Sequence, residues 1–232
     1  MGAEGTYPEA FERIEAAVDG GEHDLRVLGF WRLLARVKAD PALAAHWAEV
    51  AGRIDRKAFE ARVRLRVPVW FGNTVLLFGT LAGAFAMGVA VGTDRELLAG
   101  LALLFAGGAW LVCLHDLAHW LVGRIVGIRF ISYFLTGPFA PPGLKTDYAT
   151  YLRTPPAARA WMHASGAIAT KAAPFAAAAF WPATEAPAWA AWALVGIGLL
   201  TITTDVLFST KRSDWKKVRR ELRIARARSL DG

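Results

Sequence analysis

Cysteine is almost absent. Cys113 is the sole thiol in 232 residues, so no internal disulfide can form. It lies in an apolar run, where a thiol behaves as a small hydrophobe. The first 20 residues lack an apolar stretch and carry Glu4, Glu9, Glu12, Glu15 and Asp19, so no cleavable signal peptide is expected. Charge is missing altogether from Val67 to Gly92. Cations are scarce in two short connections, 93–96 and 182–187, which share only Arg95.

What is present is apolar. Hydrophobic residues make up 55% of the chain, and mean hydropathy is +0.31, unusual for a soluble domain. The apolar residues gather in four long runs after residue 66. These are Val67–Gly92, Leu97 to about Gly123, about Ala160–Trp181, and a last run reaching about Phe208. A bilayer core is crossed by about 20 apolar residues, so each run reads as a span. Gly and Ala are abundant in them and permit close helix packing. Net charge is +7, but the cations flank the apolar runs. That pattern points to anionic lipid headgroups rather than nucleic acid as partner.

Three regions are basic: Arg53 to Arg66, Arg124 to Arg159, and Lys211 to Arg228. The positive-inside rule puts all three in the cytosol and both short turns outside. The predicted protein is therefore an α-helical integral membrane protein of the cytoplasmic membrane. Four transmembrane helices occupy 67–210, both termini are cytosolic, and a basic tail covers 211–232. Residues 1–66 precede them as a small cytosolic helical region. Helices are expected over about 8–20 (Phe11, Ile14, Val18), 24–38, and from Pro41 onward with Leu43, Trp47, Val50 and Ile54 on one stripe. Asp40-Pro41 reads as a helix start. Between the second and third spans, residues 128–134 and 144–152 are rich in strand formers. Turn signals at Thr136-Gly137-Pro138 and Pro141-Pro142-Gly143 separate them. This predicts a membrane-associated β-hairpin over 128–152, with its backbone groups paired.

Ionisable residues inside spans are costly and mark function. The second run holds His115-Asp116-Leu117-Ala118-His119, the third His163 and Lys171, and the fourth Asp205. His115 and His119 are four apart and share a helix face, so both imidazoles can reach one metal ion. Asp116 is one step round the helix, in the geometry of an HExxH zinc motif with Asp in place of Glu. The charge-derived topology brings Asp205 to a similar depth. Two imidazoles and one carboxylate leave a fourth position open, as catalytic zinc requires. The competing reading is a hydrogen-bonded polar cluster that holds helices together. Lys171 either reaches an interface or pairs with Asp116 or Asp205.

At these residues the chain resembles the site-2 protease family of intramembrane zinc metalloproteases, over roughly 70–210. Family members carry HExxH on one span, then a membrane-associated hairpin, then a Gly-Pro-x-x-Asn-like element, then an aspartate zinc ligand. The matching order here is His115–His119, the 128–152 hairpin, Gly166-Ala167-Ile168-Ala169-Thr170, and Asp205. The resemblance implies zinc held by His115, His119 and Asp205, with Asp116 in the catalytic position. It implies that Gly166 and Thr170 orient a membrane-embedded peptide substrate, which adds as a strand to the hairpin. The chain departs from the family in Asp116 for Glu, Ala167 for Pro and Thr170 for Asn. An inactive homologue serving as accessory subunit of a membrane complex is the alternative. Leu230-Asp231-Gly232 also matches a family aspartate motif, but it lies in the tail and is set aside.

Overall fold

The computed structural model describes residues 6–137, 142–207 and 213–230. In chain order the elements are helices α1 (Tyr7–Asp19), α2 (Phe30–Val37), α3 (Pro41–His46) and α4 (Ala48–Arg62), strand β1 (Leu65–Pro68), helices α5 (Val69–Gly92) and α6 (Glu96–Ile125), and strands β2 (Phe130–Leu135) and β3 (Gly143–Thr146). Helices α7 (Tyr148–Arg153), α8 (Pro156–Ala178), α9 (Ala188–Leu207) and α10 (Asp214–Leu230) complete the chain. They form two compact units. One comprises Met1–Val69, Gly123–Arg159 and Glu221–Gly232, the other Trp70–Val122 and Ala160–Arg220.

The first unit is built as a water-soluble domain is built. Phe11, Ile14 and Val18 of α1 meet Phe30, Leu34 and Val37 of α2 and Ala51, Ile54 and Ala58 of α4 in a closed core. Asp40 caps α3, its carboxylate accepting from the Ala42 and Leu43 amides at 2.7 and 3.2 Å, with Pro41 in the first helical position. Two expected helices are shorter than predicted. Gly29 takes a left-handed φ of 72°, so α2 starts only at Phe30 instead of residue 24. The stripe from Leu43 to Ile54 is broken at Trp47, whose ring stacks on Phe11 at 4.7 Å.

The hairpin is a three-stranded antiparallel sheet in the order β1-β2-β3. β1 takes Val67 and Pro68 from what reads in sequence as the first span, so α5 begins at Val69. Pro68 is tolerated because β1 is an edge strand. The predicted second strand also stops early. β3 ends at Thr146, and residues 148–153 are helical. Tyr148, Tyr151 and Leu152 fall at helical spacing, and Leu152 closes the core of α1–α4. Pro138 and Pro141 of the expected turn lie outside the described residues.

Glu15 of α1 accepts from Arg53 at 2.7 and 2.8 Å and from Lys57 at 3.1 Å on α4. The Arg53 hydrogen bond, aided by Lys57 and opposed by partial burial, holds its carboxyl down to about 2 from an ordinary 4.5. A depressed carboxylate pKa adds stability above the unfolded value that is lost as pH falls through the folded one. Protection of α1 and α4 amides, corrected for intrinsic exchange, should therefore decline from about pH 5 to about pH 2. Glu15→Gln should flatten that part of the profile.

In the second unit three helices are long and apolar enough to cross a membrane: α5, α6 and α9. The fourth expected span, α8, is 23 residues long, but it carries His163, Lys171 and an internal Pro174 and does not reach the same apolarity. Phe208, the expected end of the last run, lies outside the described residues, as do Lys211 and Arg212. Met87, Ala90, Leu103, Ala106, Ala177, Ala190 and Leu194 pack α5, α6, α8 and α9 together. Large apolar side chains such as Phe78, Phe85, Val112, Trp192 and Val206 point outward.

Candidate metal centre

All side chains of the centre belong to the second unit. The helical period of α6 stacks His115 and His119, with ring centroids 4.6 Å apart and planes nearly perpendicular. Facing them is a carboxylate from the first turn of α10. His119 Nε2 lies 3.2 Å and His115 Nε2 3.6 Å from Asp214 Oδ2. The three donor atoms lie within 4.8 Å of one another. Tetrahedral zinc with bonds near 2.0 Å separates its ligand atoms by about 3.3 Å, close to the two distances to Asp214. The donor set therefore fits a small, borderline-soft divalent ion.

The far sides of both rings are tied off. His119 Nδ1 lies 2.6 Å from the Met162 carbonyl oxygen. A carbonyl only accepts, so Nδ1 carries the hydrogen and Nε2 presents a lone pair in the neutral ring. His115 Nδ1 lies 2.8 Å from Thr170 Oγ1, and the Thr170 hydroxyl donates to the Gly166 carbonyl at 3.1 Å. With its one hydrogen so used, Thr170 accepts from His115 Nδ1. In the neutral rings both Nε2 lone pairs face an acceptor-only carboxylate, so the arrangement takes up a cation, either a metal ion between them or a proton on His119 that donates to Asp214. Outer partners of this kind fix ring orientation at metal sites. His163 of α8 neighbours His119, with ring centroids 6.4 Å apart.

Asp205, the sequence-predicted third ligand, is elsewhere. Its Oδ2 lies 2.6 Å from Lys171 Nζ, the second of the two arrangements that the sequence leaves open for Lys171. Lys171 also sits 5.9 Å from the Trp215 ring centre. The carboxylate at the histidines is Asp214, nine residues later in a segment that reads as a solvated basic tail. Burial works against its charge, but the His119 contact and the Lys217 ammonium outweigh it and hold the carboxyl well below the usual range. Asp116 is half-buried within electrostatic reach of His115, His119, Asp214 and Lys217, and it makes no hydrogen bond or ion pair among the described residues.

Gly166 and Thr170, expected to orient substrate, contact the histidines instead. A Cβ on Gly166 would collide with the His119 ring, so glycine lets α8 close over it. Gly166→Ala should displace the ring from the Met162 carbonyl and weaken zinc binding by about 10–100-fold, the scale for losing an outer partner. Gly108→Ala, which meets nothing within 4 Å, should leave affinity unchanged in the same chelator competition.

Comparison with protein-family models, with curated proteins and with solved structures finds no match to this chain.

Proposed function

We propose that the protein is a divergent intramembrane zinc metalloprotease of the site-2 protease type, with zinc held by His115, His119 and Asp214. The observation that carries this reading is the convergence of two Nε2 lone pairs and one carboxylate oxygen, with both Nδ1 atoms engaged elsewhere. Burying such a constellation among apolar helices is expensive and finds its return in chemistry. Zinc, when bound, supplies Lewis-acid polarisation. Asp116 accepts a proton from the attacking water on its free carboxylate. As the carbon–nitrogen bond breaks, the same carboxyl returns that proton to the leaving amine.

The substrate class is a membrane-embedded peptide, unwound and added as a strand at the exposed edge formed by β1, whose four residues all face solvent or lipid. In this reading α8 is the fourth span, the protein sits in the cytoplasmic membrane with both termini cytosolic, and anionic lipids meet its basic flanks. α8 crosses despite its lower apolarity because Lys171 is neutralised by Asp205.

One observation favours the second reading, an inactive homologue that serves as an accessory subunit. The one hydrogen of the Thr170 hydroxyl is spent on the Gly166 carbonyl while the oxygen accepts from His115, which leaves no hydrogen to donate to a substrate. A cell-based assay with single-span substrates separates the two. Cleavage by wild type that Asp116→Ala abolishes establishes the protease. Cleavage only by Asp116→Glu marks a decayed site, and no cleavage by any variant leaves the accessory role. Reporter fusions at Arg66, Tyr148 and Arg220 should read cytosolic and those at Arg95 and Glu185 external. An external signal at Tyr148 would overturn the topology.

A further inference from the structure

The two oxygens of Asp214 are treated differently. Oδ2 faces both histidines, while Oδ1 lies 2.9 Å from Lys217 Nζ. Lys217 is one turn further along α10, so the two side chains share a helix face. A carboxylate with both oxygens free can chelate a metal through two bonds, which raises the coordination number and suits larger, oxygen-preferring ions. A carboxylate with one oxygen engaged offers a single bond. An ammonium has three donors and no acceptor, so it binds the carboxylate and cannot itself ligate the metal. Repulsion between like charges also keeps it on the oxygen turned away from a bound dication.

We propose that Lys217 is a positioning residue that holds Asp214 as a one-oxygen ligand and thereby makes the centre four-coordinate and selective for zinc. The inference rests on the metal reading given above, and it adds what that reading leaves open, which divalent ion the site prefers and why. Two neutral imidazoles and one single-bonded carboxylate form the three-ligand set of tetrahedral zinc with one open position. With Oδ1 released, the same three side chains supply four donor atoms, and manganese becomes a better competitor. An ordinary helix pair of this spacing with no such role would leave metal binding untouched.

The test uses the full-length protein in detergent, loaded with cobalt as a spectroscopic stand-in for zinc. Zinc and manganese affinities are measured by chelator competition. Wild type should show the intense visible bands of four-coordinate cobalt. Lys217→Ala should weaken those bands several-fold and reduce the zinc-over-manganese preference by at least about tenfold, the lower end for loss of an outer partner. Lys217→Arg, which keeps a cation on Oδ1, should restore both. Lys217→Met, which preserves the packing of the stem, decides the matter should the alanine variant fail to fold. A wild-type cobalt spectrum and unchanged selectivity in a folded Lys217→Ala or Lys217→Met protein would overturn the role of Lys217 while leaving the metal centre in place. A wild type that takes up neither cobalt nor zinc sinks the metal reading and this inference with it.

Discussion

Glu221→Ala is expected to destabilise the first unit by about 3–5 kcal/mol, the scale for removing one partner from a buried charge cluster. Glu221 and Arg159 are fully buried, and Lys38 is 5% exposed. The Glu221 carboxylate lies 3.3 Å from Lys38 Nζ and 2.8 Å from Arg159 Nη2, and it accepts from the Tyr151 hydroxyl at 3.0 Å. The Arg159 contact is close but not aligned as a hydrogen bond, so charge rather than bonding geometry carries it. Both cations also lie over the Tyr151 ring, at 4.6 and 5.2 Å. Alanine at 221 removes from a buried core the carboxylate that both cations approach. The loss measures the cost of removing one member of the cluster, not the net worth of the cluster. The triple replacement Glu221→Met, Arg159→Met, Lys38→Met should accordingly recover most of the stability in denaturant unfolding. A loss under about 1 kcal/mol for Glu221→Ala would mean that water reaches the cations.

Asp214→Ala should reduce zinc affinity by more than about a hundredfold, beyond the range for outer-shell partners, because it removes one of three ligand atoms. Asp205→Ala should leave affinity near wild type and instead weaken folding, since it strands Lys171 among apolar helices. Metal content by mass spectrometry and chelator competition on the two variants make the comparison. The reverse ranking would return the third ligand to the fourth apolar run.

The two acids of α10 show where the sequence stops being informative. Asp214 and Glu221 are the only carboxylates in a helix with seven basic residues. Composition reads such a stretch as a solvated tail, yet one acid faces the histidines and the other is wholly buried. They stand seven residues apart, two helical turns, and so on one face. That isolated, periodic pair is the available signal, and a charge count blurs it because cations outnumber it.

Other features were legible because they are local. The His115–Asp116–His119 spacing places two imidazoles on one helix face whatever surrounds it. The apolar runs that became α5, α6 and α9 follow from the length of a bilayer crossing, and the cap at Asp40 from backbone chemistry. The contacts between segments distant in the chain were decided only by the tertiary structure. β1 joined the hairpin because residues 65–68 pair with 132–135, a choice that hydropathy cannot register. Residues 148–153 became helix because Tyr148 and Leu152 gain more by packing on α1–α4, with the Tyr151 hydroxyl donating to Glu221, than by extending a strand. Asp214 rather than Asp205 faces the histidines, and Asp205 pairs with Lys171; pairings of that kind depend on which side chains meet in space rather than on any spacing along the chain.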